Sequence, residues 1–217
     1  YLVTDKEMPV SAMMERANLA LKKTLQLPQH LKKIGVYDEK EHQKLEREKH
    51  LEMRMEQALK NGEFVPYLQP KYELTHETIA GAEALVRWVS PEEGMIFPGE
   101  FIPLFEKNGF IVELDLYMFE QVCKMIESWH KNGYRIIPVS VNMSRGHFLV
   151  PNFFDRYKEI LERYDVPKGS IEIELTESLF LNEISTMTDL VNKIHEVGLR
   201  CSIDDFGSGY SSLNMLK

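Results

Sequence analysis

The feature that most constrains the fold of this chain is a repeat of about 30 residues, the length of one strand-plus-helix unit. After each of several short apolar runs the repeat sets an oxygen-bearing side chain. Asn142, Glu174 and the pair Asp204-Asp205 fall 32 and 30 residues apart, and an earlier run carries Glu83 in Glu83-Ala84-Leu85-Val86-Arg87-Trp88. Each run is followed by a helix-like stretch, so the oxygen sits where a strand should end. A chain that repeats this unit with an oxygen ligand at each strand's carboxyl end builds a hard-cation site at the mouth of a barrel.

The pattern predicts strands over 64–69, 79–88, 135–142, 171–176 and 200–204, helices over 100–107, 114–131, 153–164 and 183–197, and a further helix from Tyr210. Strand-helix alternation implies a parallel sheet. Because side chains alternate along a strand, Ser140 shares a face with Asn142, Glu172 and Glu174 with Thr176, Arg200 and Ser202 with Asp204, and Glu83 with Arg87. An open doubly wound sheet would bury apolar residues on both faces. Here one face stays polar toward the strand ends, as at the inner mouth of a barrel. The expected fold class is therefore α/β, a TIM-type (β/α) barrel. A full eight-unit barrel takes about 250 residues, and the stretch from Gly62 to Lys217 holds about five units, so the barrel is expected to be incomplete.

The rest of the chain reads differently. Residues 1–38 form a small α+β remnant: the end of a strand at Tyr1–Thr4, a helix from Ala12 to Leu25, and a short strand Ile34–Tyr37. That is too little for a core of its own, and it is expected to be the tail of a domain lying upstream. Residues 39–60 are dominated by Glu, Lys, Arg and Gln, with a thin apolar row at Leu51, Met55 and Leu59. This is a solvated connecting helix, read either as a plain linker or as a relay between domains. Asn61-Gly62 ends it with a left-handed cap, and residues 61–217 form the barrel portion.

Composition narrows the partners. A formal net charge of −8 argues against a nucleic-acid polymer, whose phosphates need clustered Lys and Arg. A small phosphorylated ligand remains compatible when a metal supplies the positive charge. Cys123 and Cys201 lie in apolar stretches, as expected of buried free thiols in a reducing cytoplasm. No apolar run reaches the ~20 residues of a membrane span, and the first residues do not resemble a signal peptide. The expected location is cytoplasmic, with membrane anchoring open only to a region upstream.

Glu83, Asn142, Glu174 and Asp204 offer oxygen alone, a set that selects Mg²⁺, Mn²⁺ or Ca²⁺ over zinc or copper. Asp205 points to the opposite side of an ideal strand, yet at a strand's end it is placed for a second ion or a water. Paired cations are a recurring device for phosphodiester hydrolysis. Any one of these carboxylates alone would be a surface charge or a helix cap; four at matching strand ends argue for a site. The loop Phe206-Gly207-Ser208-Gly209-Tyr210 suits a close approach to a ligand or a lid, or a plain turn. Arg87 suits a phosphate clamp or a salt bridge to a barrel carboxylate; Gln69, before Pro70, offers an amide to a ligand edge or a cap. No histidine falls near these strand ends, which counts against Ser-His-Asp or Cys-His catalysis. An enolase-type barrel would need a Lys or His base at a neighbouring strand end, and none is evident in the five units.

The ordered set Tyr67-Leu68-Gln69-Pro70, Glu83-Ala84-Leu85-Val86-Arg87-Trp88, Phe101-Ile102-Pro103, Val141-Asn142-Met143-Ser144, Glu174-Leu175-Thr176-Glu177-Ser178 and Asp204-Asp205-Phe206-Gly207-Ser208-Gly209-Tyr210 closely resembles the EAL family of cyclic-di-GMP phosphodiesterases. The N-terminal piece resembles the tail of a GGDEF domain, and tandem chains of the two kinds are common in bacterial signalling. The resemblance implies that Glu83, Asn142, Glu174 and Asp204 bind a first Mg²⁺ or Mn²⁺ and that Asp205 serves a second. It implies that Glu177 braces the Asp205–Tyr210 loop, which also contributes to homodimer contacts. Arg87 would hold a phosphate of cyclic di-GMP, Gln69 would line its pocket, and the product would be linear pGpG. The family also uses a lysine, a glutamate and a glutamine on later strands, beyond Lys217. The parent protein is therefore expected to be an active hydrolase, and this stretch alone inactive and prone to self-association. A receptor that binds cyclic di-GMP without hydrolysing it is the alternative.

Overall fold

In the computed structural model, residues 7–26, 36–176 and 184–204 are described. Glu177, Asp205 and the glycine loop after it lie outside them, as do the strand expected over 1–4 and residues 34–35. The chain divides into two compact units, residues 1–53 and 54–217.

The first unit holds α1 (Val10–Gln26) and the start of α2 (Glu39–Asn61), so the division falls inside α2. Asp38 starts α2 as a cap, accepting the Lys40 N–H at 2.9 Å. Arg16 Nη2 donates to Glu39 Oε2 at 3.0 Å, and its guanidinium lies 4.8 Å from the centre of the Tyr37 ring. Val36 and Tyr37 take no strand conformation. The short strand expected there is not formed at these positions, for they have no neighbouring strand to pair with among the described residues.

The second unit is a mixed sheet with helices on one face. Its strands are β1 (Phe64–Glu73), β2 (Thr78–Ser90), β3 (Gly94–Ile96), β4 (Val139–Met143), β5 (Ile171–Thr176) and β6 (Arg200–Asp204). The helices are α3 (Pro98–Asn108), α4 (Ile111–Lys131), α5 (Phe153–Leu161) and α6 (Ile184–Glu196), with a 3₁₀ turn at Arg145–Leu149. The strand order is β1-β2-β4-β5-β6, with β3 paired to β2, and this path is open among the described residues. β2, β4, β5 and β6 run parallel as expected. β1 does not: it pairs antiparallel with β2 as a hairpin. The four residues between β1 and β2 are too few for the crossover that a parallel pair requires. β3 and the 3₁₀ turn are too short to leave a pattern in sequence. β4 begins at Val139 rather than Arg135, because Pro138 has no N–H for the ladder.

The helix side is dry. Val139, Val141, Met143, Ile171, Ile173 and Leu175 are all within 2 % of full burial. Opposite them α4 contributes Leu114, Met118, Phe119, Val122, Cys123 and Ile126. Phe64 and Trp88 are direct partners across β1 and β2, with ring centres 4.9 Å apart, and Phe101 and Phe105 of α3, 5.4 Å from each other, close on them edge-on or tilted at 5.7–6.0 Å. Trp88 donates its indole N–H to Glu63 at 2.9 Å, and the Arg54 guanidinium lies 5.9 Å from its ring. Arg54 also binds Ser90 Oγ at 2.9 Å and pairs with Glu93, which fastens the end of α2 to the hairpin of β2 and β3.

Gly81 lies where β2 approaches the residue that leads into β4. The Ala82 N–H donates to the Pro138 carbonyl at 2.9 Å, and a Cβ on Gly81 would stand 2.9 Å from that same oxygen. Gly81→Ala is therefore expected to cost about 1–3 kcal/mol by overpacking against backbone, read as a lower urea midpoint at an unchanged slope. The two cysteines are free, and burial pushes the Cys123 thiol up to about 12 and Cys201 up to about 11, with the Glu172 charge adding to the latter. Since the thiolate is the reactive form, native protein at pH 8 is expected to react with an aromatic disulfide reagent only slowly. Guanidinium should release both thiols at once.

Candidate functional site

The parallel register sets the oxygen-bearing residues on one face. Glu83 is level with Ser140, Asn142 with Glu174, Glu174 in turn with Ser202, and Thr176 with Asp204. Register partners point the same way and the period is two, so Glu83, Asn142, Glu174 and Asp204 all face away from the helix layer. The antiparallel pairing of Gln69 with Glu83, and of Val65 with Arg87, adds Gln69 and Arg87 to this face.

The side chains meet in two pairs. Asn142 Nδ2 donates to Glu83 Oε1 at 3.0 Å. Glu174, 7 % exposed, forms an ion pair with Lys71 Nζ, and the same ammonium donates to Ser140 Oγ at 2.8 Å. In a flat sheet β1 and β5 would be about 14 Å apart, three strand spacings. A lysine on β1 that touches a glutamate on β5 therefore reports strong concave curvature, the inward curl of a barrel. Asp204, at the end of β6, is exposed.

Among the described residues, no three His, Cys, Asp or Glu side chains converge on a point that would hold a metal ion. Glu83 is engaged by Asn142 and Glu174 by Lys71, while Asp205 and Glu177 lie outside the described residues. The donor chemistry still fits a hard divalent cation, since the face offers carboxylate, amide and hydroxyl oxygen. Two observations point the same way. An ammonium already stands on Glu174 in the role of a cation. Ser202 Oγ, level with Glu174, is buried with no hydrogen-bond partner among the described residues.

Arg87 donates from Nη1 to the Val86 carbonyl at 2.9 Å, with its guanidinium 5.9 Å from the centre of the Tyr67 ring. The alternative of a salt bridge to a barrel carboxylate is not found among the described residues. Gln69 is exposed. A cavity of about 270 Å³ opens at the ends of β2 and β4, lined by Arg87, Asn142 and Thr176 on one side and by Ile102, Glu106 and Asp115 on the other.

Sequence reasoning missed Lys71 and Asp115. Lys71 follows Gln69-Pro70 and shares the Gln69 face, so period-two counting extended by one step would have found it. Asp115 has no such signal. From α4 it accepts the Ser144 N–H at 2.9 Å and lies 3.1 Å from His147 Nε2, which is also 3.1 Å from the Tyr157 hydroxyl. This buried network fixes the turn that begins two residues after Asn142.

The family model described as the EAL domain matches residues 52–217. The chain is 35% identical over 166 residues to the signaling protein YkoW of Bacillus subtilis, covering 76% of this chain and 21% of that protein. It is 33% identical over 163 residues to the bifunctional diguanylate cyclase/cyclic di-GMP phosphodiesterase MucR of Pseudomonas aeruginosa, covering 75% of this chain and 24% of that one. The solved structure of the MucR phosphodiesterase in complex with c-di-GMP superposes with a TM-score of 0.71 at 32% identity, over 77% of this chain and 68% of that one. The chain thus spans about a fifth to a quarter of the length of these curated relatives. With its curled sheet, its oxygen-lined face and a match over residues 52–217, this chain belongs to the EAL-domain family.

Proposed function

We propose that the protein to which this barrel belongs hydrolyses cyclic di-GMP to linear pGpG in a reaction that depends on Mg²⁺ or Mn²⁺. The observation that carries the reading is the single polar face that Glu83, Asn142, Glu174 and Asp204 share, with Asn142 level with Glu174 and the other two displaced by two residues along their strands. Its support from outside is the likeness to the MucR phosphodiesterase complex with c-di-GMP. Glu83, Asn142, Glu174 and Asp204 would hold a first divalent cation and Asp205 a second, with Glu177 bracing the loop after Asp205. Such cations supply electrophilic polarisation of a phosphoryl group and acidify water.

The remaining steps fall to the chain's own groups. Arg87 binds a phosphate of the substrate, its planar fork matching two phosphoryl oxygens. Its only side-chain hydrogen bond among the described residues goes to a backbone carbonyl, so little is lost when it turns to a ligand. Gln69, exposed on the neighbouring strand, offers an amide to the edge of a guanine. Asn142 orients Glu83 through its amide hydrogen bond, and Asp115 holds the turn after Asn142 in place. A homodimer is part of the proposal, with contacts from the segment 205–210.

Residues 1–38 are proposed to be the tail of a GGDEF domain and residues 39–60 the connecting helix. Among the described residues no helix is long and apolar enough to cross a membrane. The proposed setting is bacterial second-messenger signalling in the cytoplasm.

The test is conversion of cyclic di-GMP to pGpG with Mn²⁺, followed by chromatography of the products, for the full-length parent and its Glu83→Ala variant. Turnover is expected in the parent and a loss of at least about 100-fold in the variant, larger than the loss of an outer-shell partner. Retained turnover in the variant would overturn the role of Glu83. Tight binding of cyclic di-GMP with no pGpG from the parent would favour a receptor instead.

A further inference from the structure

Among the described residues of the oxygen face, Glu174 is the one that is both ionisable and nearly closed off from water, at 7 % exposed. A carboxylate at that depth needs a counter-charge or must give up its own charge. Its partner is Lys71, which comes from a distant strand, binds Ser140 Oγ at 2.8 Å as well as Glu174, and has a side chain 42 % exposed. The pairing is built into the backbone. The register of β1 against β2 shifts between Lys71 and Tyr72, a bulge with Ala80 as the extra residue on β2, and Gly81 opposite Lys71 adds no side chain beside it. Bulges of this kind re-aim a side chain at the rim of a barrel.

We propose that Lys71 is the resident counter-ion of Glu174 and that a divalent cation gains Glu174 only by displacing it, so that Lys71 sets the metal affinity of the site. This rests on the reading of the face as a metal-dependent phosphodiesterase site. The ammonium occupies Glu174 Oε1, the kind of oxygen a metal would need. A unit positive charge and a divalent cation within a few Å repel each other strongly, so the two do not share the carboxylate. Lysine suits an occupant that must leave. Its stem is flexible and already partly in water, so the ammonium can swing out and rehydrate. An arginine would grip both carboxylate oxygens with its fork and leave less readily.

The measurement is Mn²⁺ binding to the whole chain, with Mn²⁺ alone as the probe, read from the electron paramagnetic resonance signal of the free ion. The variants are Lys71→Gln, Lys71→Met and Lys71→Arg. Lys131→Gln on α4, whose side chain is 62 % exposed, makes the same charge change away from the face. Lys71→Gln and Lys71→Met are expected to bind Mn²⁺ at least about 10-fold more tightly than the unaltered chain, by removing the competing charge. Lys71→Arg should bind no more tightly, and Lys131→Gln should stay within about twofold, as screening of a distant exposed charge requires. Lys71→Gln retains a hydrogen-bond donor toward Glu174, so it reads the charge effect even if Lys71→Met fails to fold. Equal or weaker Mn²⁺ binding by Lys71→Gln would overturn the inference, as would an absence of Mn²⁺ binding in every protein. Tighter binding in the variants with no pGpG formed by the parent would overturn the phosphodiesterase reading and leave the role of Lys71 standing. Turnover by the parent without tighter binding in the variants would do the reverse.

Discussion

The constraint on which the rest of the structure depends is the parallel register of β4 against β5, in which Asn142 stands level with Glu174. That register is not held by the polar face it creates. It is held from behind, where Val139, Val141, Met143, Ile171, Ile173 and Leu175 are buried against the helices. Because side chains alternate, a slip of one residue in either strand would turn its apolar set to the inner face and its oxygens into the helix layer. Each such side chain is worth about 1.5–3 kcal/mol on burial, so the three that a slipped strand would expose oppose the slip by about 5–9 kcal/mol. The functional face is therefore a by-product of hydrophobic burial on the other side of the sheet.

That logic explains what could be read from sequence. The strands 171–176 and 200–204 were expected at the boundaries they adopt, because each is a run of alternating apolar and polar residues with a clear start. The shared face of Glu83, Asn142 and Glu174 followed from counting by two. What was not legible depends on pairing between distant segments. The antiparallel direction of β1 is set by a short connection that the strand-helix rhythm obscures, and β3 has three residues, too few to show a period. Counting by two puts Lys71 on the Gln69 face, but its reach to β5 depends on the curl of the sheet, which no local pattern encodes. Asp115 finds the backbone of Ser144 only because α4 packs against the end of β4, a contact that no local pattern encodes.

The strand ends beyond the site are secured by different means. On β2, one residue past Arg87, four aromatic rings and an indole hydrogen bond to Glu63 lock β1, β2 and α3 together. Geometry of this kind adds about 0.5–1.5 kcal/mol per ring pair beyond area burial. At the site end the turn after β4 relies on polar contacts, with Asp115, His147 and Tyr157 forming a buried chain. Burial drives the Tyr157 hydroxyl well above its ordinary value, with the Asp115 charge adding to it, so the phenol stays a neutral partner to His147. Aromatic packing stiffens the end of β2, whereas hydrogen bonds with fixed directions place the turn beside Asn142.

Charge on the inner face then decides what it can accept. Glu83, Glu172, Glu174 and Asp204 contribute four carboxylates, against the cations of Lys71, Arg87 and Arg200. Of the three, Lys71 is the one that touches Glu174, the deepest carboxylate. A ligand with two phosphates would meet net repulsion at such a surface, since carboxylate and phosphate in a poorly hydrated cleft repel strongly. Under the proposed function, cations must therefore lodge among the carboxylates before the dinucleotide can settle on them. The same step would free the ammonium of Lys71 on the face that Gln69 and Arg87 share, where it would meet phosphate rather than carboxylate. A face that is acidic when empty and cationic when loaded is closed to phosphates in the first state and open to them in the second. Under that proposal, one lysine on an antiparallel strand would couple the two.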